Sequence, residues 1–284
     1  MDKFSALWLS HSRISTFKKC PRAYYLSYVY RDPRSNHKVS FITPSMAMGS
    51  AIHSVLESLT TLPVAARFKT SLVERLGNAW EQINGKKGGF VDQETESIFK
   101  KRAEDILRRV MEHPGPLNKK AVKIKMDLPN YWLSQEDGLV LCGKLDWLEY
   151  LEDEDAVHII DFKTGNTDEP VDSLQLPIYL LLAHNCQGRE VTKASYWYIS
   201  RDDFPAEQKL PNLEKSKELI LKAGKEIKLA TSLERFKCPK GGCKTCEPYE
   251  KILSGDAEYV GQGEYNTDLY ALFENTNTPA SEIL

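Results

Sequence analysis

The run from Gly143 to Gly165, GKLDWLEYLEDEDAVHIIDFKTG, constrains the fold of this chain more than any other stretch. Two apolar segments rich in β-branched and aromatic residues, Leu139–Tyr150 and Val157–Lys163, flank the acidic EDED of Glu152–Asp155, which predicts an antiparallel hairpin. A turn centred between Asp153 and Glu154 sets Asp146 opposite Asp161. Side chains alternate faces along a strand, so Lys163 emerges on the same side as Asp161. Two carboxylates at cross-strand distance repel, and a divalent cation is their natural neutralising partner. Oxygen ligands favour Mg or Mn, and a lysine beside such a site can hold or help deprotonate a water. Read alone, the short D-x-K pattern also fits the solvated face of an ordinary hairpin.

The segments before this hairpin read as helices. Ser12–Tyr30 predicts two short helical pieces broken at Pro21, with aromatics on one side. Pro44–Thr60 carries Met48, Ile52, Val55 and Leu59 at helical spacing, and Gly49, His53 and Glu57 share another stripe. His53 alone fits a packed or surface histidine, and Glu57 is expected to face solvent. Ser71–Ile83 and Asp92–His113 read as further amphipathic helices, the second carrying the basic residues Lys100 to Arg109. Val122, Ile124, Met126 and Leu128 alternate with polar residues, which predicts a half-buried strand. After the hairpin, Asp172–Asn185 reads as a helix capped by Asp172, Lys193–Ser200 as a strand, and Asn212–Ala230 as a long charged helix. Gln175 and Tyr179 share a helical face, and Pro177 between them demands a kink or a late helix start. The stretch from Glu274 onward has the composition of a loose tail.

The composition, 41% hydrophobic and 27% charged, is that of a globular protein, and no apolar run approaches the roughly 18 residues of a membrane span. The opening MDKFSALWLSHSR lacks the apolar core of a secretory signal, so a reducing, cytoplasmic setting is expected and structural disulfides are not. A formal net charge of -2 excludes a global pull toward nucleic acid, leaving any such contact to local basic surfaces. Lys100 to Arg109, and Lys237, Lys240 and Lys244, are candidates for tracking phosphates, and a solvated helix face explains the first set equally well. In that setting the close spacing of Cys238, Cys243 and Cys246 points to a metal, with a fourth ligand still required. Cys142 and Cys186 sit in apolar contexts as core thiols.

Five ordered pieces carry a family likeness: SRISTFKKCPRAYY, GSAIH ending at His53, GKLDW with Asp146, DFKTG with Asp161 and Lys163, and QLPIY with Gln175 and Tyr179. Together they resemble the PD-(D/E)xK nuclease superfamily, in its RecB-like and CRISPR-associated exonuclease branch. The resemblance implies an α/β, restriction-endonuclease-like fold, a mixed central sheet flanked by helices. It implies one nuclease domain over 1–284, with a helical part (1–118), a core (119–230), a cysteine-cluster region (231–273) and a tail (274–284). His53, Asp146 and Asp161 would ligate Mg or Mn together with the backbone carbonyl of Phe162. Lys163 would position or activate water, and Gln175 and Tyr179 would contact DNA or orient the lysine. Cys20 would join Cys238, Cys243 and Cys246 around a 4Fe-4S cluster, with structural zinc as the rival. The implied activity is hydrolysis of phosphodiesters at DNA ends in recombination, repair or phage and CRISPR DNA processing, with DNA ends or single strands as the bound nucleic acid and helicase, recombination or CRISPR adaptation partners beside it. The alternative is a non-catalytic DNA-end-binding or adaptor protein that keeps the fold. Leu145 replaces the family proline, Asp161 stands for the commoner glutamate, and the C-x4-C-x2-C order departs from the usual cysteine spacing.

Overall fold

The computed structural model describes residues 2–273, so the tail expected from 274 to 284 lies outside the described residues. The chain opens with β1 (Leu7–Leu9) and α1 (His11–Lys19), whose N-terminus Ser10 caps by accepting from the Arg13 N–H. Cys20 is extended, and α2 (Pro21–Tyr24) starts on proline, the position where a missing N–H costs nothing. A π-turn over Tyr25–Val29 and β2 (Lys38–Ile42) lead to α3 (Pro44–Ser58), capped by Thr43 and again begun by proline. Helices α4 (Leu72–Trp80) and α5 (Gln93–Glu112) follow, the latter capped by Asp92 accepting from the Thr95 N–H.

Strands β3 (Asn130–Ser134) and β4 (Leu139–Cys142) precede the hairpin of β5 (Trp147–Leu151) and β6 (Ala156–Phe162). Its register sets Trp147 opposite Ile160 and Leu151 opposite Ala156, the alignment expected for a turn between Asp153 and Glu154. Next come α6 (Gln175–Cys186), β7 (Glu190–Trp197), β8 (Ala206–Gln208) and α7 (Leu213–Ser232), with Asn212 as the cap of α7. The described chain closes with α8 (Glu247–Ser254), β9 (Glu258–Gly263) and β10 (Thr267–Ala271).

The central sheet has the order β5-β6-β7-β8, with β6 and β7 parallel and the other pairs antiparallel. Trp147, Ile160, Phe162 and Trp197 pack on one face into a core built from α3, α4 and α5. Leu148, Val157, Ile159 and Ala194 pack on the other face under α6. All seven residues of β6 are therefore buried, and any polar group on this strand is held in the interior. A second sheet, β1-β4-β3, packs with α1, α6 and α7. Gly224 lets α7 approach it closely, since a Cβ there would stand 2.6 Å from Leu9 Cδ1. The third sheet, β2-β10-β9, joins residues near both ends of the described chain.

Several sequence expectations need correction. The strand expected over Leu139–Tyr150 breaks at Gly143–Asp146, so β4 and β5 belong to different sheets. Gly143 turns away there, donating its N–H to the Pro129 carbonyl at 3.1 Å. Val122–Leu128 forms no strand: pairing ends with an Ala121–Glu149 bridge and a Val122 N–H to Leu148 carbonyl bond of 2.8 Å, and the chain bends from Lys125 onward. The sixth helix starts at Gln175 rather than at an Asp172 cap, which leaves Pro177 in the first turn, where it removes no helical bond. The strand expected over Lys193–Ser200 runs from Glu190 to Trp197 and then turns. The sheet of β2, β9 and β10 had no counterpart in the sequence expectations.

Candidate active site

Asp146 ends the loop into β5, and Asp161 is the penultimate residue of β6; both are buried, at 8% and 2% exposure. Asp146 Oδ2 accepts from the Phe162 N–H at 2.8 Å, which ties the loop to the end of the neighbouring strand. Asp161 shares its face of the sheet with Val157 and Ile159, beneath α6. Burial and the nearby Asp146 charge push the Asp161 carboxyl up to about 7.

Lys163 stands between two acids, its Nζ 3.0 Å from Asp161 Oδ2 and 3.0 Å from Glu169 Oε2. It also donates to Gln175 Oε1. Burial alone would lower the lysine pKa, but the two carboxylates outweigh it and raise the value. Gln175 turns its amide nitrogen to Asp161 Oδ1 at 2.8 Å and to the Tyr179 hydroxyl at 3.2 Å. One helical face thus fixes the acid through Gln175, with the buried Tyr179 phenol behind it. Glu169, which sequence reasoning passed over, accepts from Ser173 Oγ at 2.6 Å. It sits in the polar loop NTDEP, where no periodic signal marks it.

His53 reaches the site from α3, with Nδ1 3.3 Å from Asp146 Oδ1. Burial pulls its pKa down, and the hydrogen bond and charge of Asp146 more than reverse that. Glu57 corrects the expectation of a solvent-facing residue: it is half-buried and joins His53 and Asp146 in a group whose ligand atoms lie within 4.8 Å of one another. Its position one turn after His53 was the available signal. Burial and Asp146 raise the Glu57 pKa. Asp161 lies outside this tight group and adjoins it through its charge.

These residues fit a divalent cation. Four carboxylates, Glu57, Asp146, Asp161 and Glu169, surround one lysine and one histidine, and Glu57 and Asp161 are held above their ordinary range. Asp161 Oδ2 is buried without a hydrogen bond; the lysine beside it supplies charge attraction but lies off the bonding direction. A cation bound there would share this oxygen with the Lys163 ammonium.

The cysteines converge on a second centre. Cys20, from the break between α1 and α2, meets Cys238, Cys243 and Cys246, with all four sulfurs within 4.8 Å of one another. Cys243 and Cys246 stand 3.7 Å apart. The backbone N–H groups of Cys246 and Thr245 hold the Cys243 thiol down to about 6. Burial pushes Cys246 up to about 12. The donor set suits a metal or iron-sulfur group.

A mixed sheet whose hairpin carries two buried aspartates and a lysine two positions after the second, met by a histidine from the helical layer, defines a nuclease-type α/β fold. A sequence model of the PD-(D/E)XK nuclease superfamily matches residues 8–250, and the chain belongs to this family. It is 28% identical over 232 residues to a subunit of the ATP-dependent helicase/deoxyribonuclease of Clostridium tetani (strain Massachusetts / E88), in keeping with the RecB-like branch. That match takes in 70% of this chain and 20% of the relative, so the chain spans about a fifth of that protein's length. Among the described residues no helix is long and apolar enough to cross a membrane.

Proposed function

We propose that the protein is a divalent-metal-dependent deoxyribonuclease that hydrolyses phosphodiester bonds at DNA ends. The observation that carries this reading is the convergence of His53, Asp146, Asp161 and Lys163 at the C-terminal end of β6. His53, Asp146, Asp161 and the Phe162 carbonyl would hold Mg or Mn, with Glu57 beside them. When bound, such a cation supplies Lewis-acid neutralisation of the scissile phosphate. Lys163, kept cationic between Asp161 and Glu169, orients the attacking water and offsets charge developing on the phosphate. The water oxygen bonds to phosphorus, the P–O bond to the leaving sugar oxygen breaks, and the proton released by the water is relayed through solvent to that leaving oxygen. Gln175 holds the Asp161 carboxylate and the Lys163 ammonium in register through its two amide ends. Tyr179 steadies that amide.

The four cysteines would act as a metal-bound clip between the two ends of the fold, either as a 4Fe-4S cluster or as structural zinc. The relative's name, which joins a helicase and a deoxyribonuclease, supports DNA as substrate and a helicase as partner. Roles in recombination, repair or CRISPR processing are extensions of the same reading.

End-labelled DNA incubated with Mn or Mg tests the activity beside Asp161→Ala and Lys163→Ala. Stepwise shortening by the wild type, with at least a hundredfold loss in each variant, is expected. Undiminished cleavage in both variants overturns the site, and inertness of the wild type leaves the adaptor reading. Iron and zinc analysis of anaerobically purified protein, with absorbance near about 400 nm for iron-sulfur charge transfer, identifies the cysteine-bound group.

A further inference from the structure

The Lys163 ammonium is already crowded by its own protein. Asp161 Oδ2 and Glu169 Oε2 each stand 3.0 Å from Nζ, Gln175 Oε1 accepts from it, and the Tyr196 ring covers a further side at 5.1 Å. An ammonium carries three N–H groups, so a water or a phosphate oxygen reaches Nζ only by displacing one of these three oxygens.

The three are not equally fixed. Asp161 lies in the fully buried β6, and Gln175 opens α6 with its amide nitrogen bonded to Asp161. Glu169 comes instead from the segment 163–174, which has no helix or strand, and its neighbours Asp168 and Pro170 are exposed. The backbone of this segment is pinned: the Glu169 N–H donates to the Tyr198 hydroxyl at 2.8 Å, and Arg201 donates to the Asn166 carbonyl at 3.0 Å. Moving the Glu169 carboxylate therefore takes a rotation of one side chain and leaves the backbone in place.

Glu169 also resembles the group it would give way to. A carboxylate and a phosphodiester each spread one negative charge over two terminal oxygens, and both accept strongly from an ammonium. Burial tends to raise the Glu169 pKa, but the bonds from Ser173 and Lys163 bring it below its ordinary range, so the group is an anion at neutral pH. Its other oxygen, Oε1, faces His11 Nε2 at 4.0 Å, at the start of α1. A carboxylate leaving Lys163 thus moves towards a second basic group, and the arriving phosphate, together with Asp161, preserves the lysine's charge.

We propose that Glu169 is an internal stand-in for substrate: its carboxylate holds the place on Lys163 that a DNA phosphate takes, and DNA binding displaces it towards His11. The proposal rests on the nuclease reading above and adds a residue that sets the affinity for substrate.

The test is binding of a fluorescein-labelled oligonucleotide by anisotropy, with Ca in place of Mn and a denaturing gel of the same samples to verify that the strand stays whole. A site closed by its own ion pair loses affinity in proportion to the closed fraction, so Glu169→Gln and Glu169→Ala are each expected to bind about fivefold tighter than wild type. The KM for end-labelled DNA in Mn is expected to fall alongside. In a Lys163→Ala background the contested place is gone, and Glu169→Gln is expected to change affinity by less than about twofold. Asp172→Asn, which removes an exposed charge from the same segment, is likewise expected to change it by less than about twofold. Unchanged or weaker binding in both Glu169 variants, a gain that survives Lys163→Ala, or an equal gain from Asp172→Asn overturns the proposal. A fall in kcat without tighter binding makes Glu169 a prop for Lys163 and overturns it too. Circular dichroism verifies that the variants fold. Should the wild type fail to cleave DNA with Mn, the nuclease reading fails while these affinity ratios still judge the stand-in.

Discussion

Asp161→Asn should make the protein more stable while destroying its active centre. The carboxyl is 2% exposed, and burial with the Asp146 charge lifts it from an ordinary 3.8 to about 7. A folded-state value above the unfolded one means that the folded protein binds the proton more tightly between those limits. Stability is therefore highest below about pH 4, falls as pH rises through the window, and has lost its full amount above pH 7. The displacement of about three pH units corresponds to about 4 kcal/mol of strain in the cation-free fold at pH 8. Asparagine removes the repulsion but also the attraction of Lys163, so a net gain of about 2 to 4 kcal/mol is expected, a rise in melting temperature on the order of 10 °C. Thermal melts in divalent-free buffer at pH 8 and pH 4 measure it: the gain should be present at the first and absent at the second. Added Mn should raise the wild-type midpoint more than the variant's, which keeps His53, Glu57 and Asp146. A variant that melts no higher than wild type at pH 8, or one that gains equally at both pH values, refutes the buried repulsion.

Three further outcomes follow from particular contacts. Gly224→Ala drives a Cβ to 2.6 Å from Leu9 and 3.0 Å from Leu139, and should cost about 1 to 3 kcal/mol in urea unfolding. Gly49→Ala meets Thr164 Oγ1 at 3.1 Å, next to Lys163; it should change stability by less than about 1 kcal/mol and lower kcat severalfold, seen as a kcat fall without a matching fall in melting temperature. Burial tends to raise the Glu149 pKa, but His158 and Lys119 bring it below the ordinary 4.5, so its contribution is present above that pH and lost as pH falls through the lower folded value. Glu149→Gln should therefore cost about 3 kcal/mol at pH 7, shrinking below pH 4.5 in pH-dependent denaturation.

The hairpin was legible because two apolar runs flank an acidic turn that admits one register; period two set Lys163 on the face of Asp161, and the family resemblance singled out Asp146, Asp161 and Lys163 as a site. The helix carrying His53 was legible from Thr43-Pro44 and its apolar stripe. Gly143–Asp146 hid its break because apolar residues continue through it, and only the tertiary bond to Pro129 redirects the chain. Strands β2 and β10 escaped notice since each is short and finds its partner far along the chain, Lys38 beside Thr267. Residues Val122 to Leu128 have a strand's pattern, but pairing stops at Ala121 and Val122 and the chain bends from Lys125 onward. Glu169 had no pattern to betray it, since a polar loop tolerates any acid until a buried lysine arrives beside it.

The meeting of Cys20 with Cys238, Cys243 and Cys246 has a consequence for biosynthesis. Translation is vectorial, so Cys20 leaves the ribosome 218 positions before Cys238, the difference of their residue numbers. Throughout that interval its thiol has no companions, and the parallel seam of Lys38–Ile42 with Thr267–Ala271 waits equally long. Closure of such distant contacts comes late and slowly. The partners of Cys20 and of Lys38–Ile42 therefore come within reach only when Cys238 to Ala271 have been made.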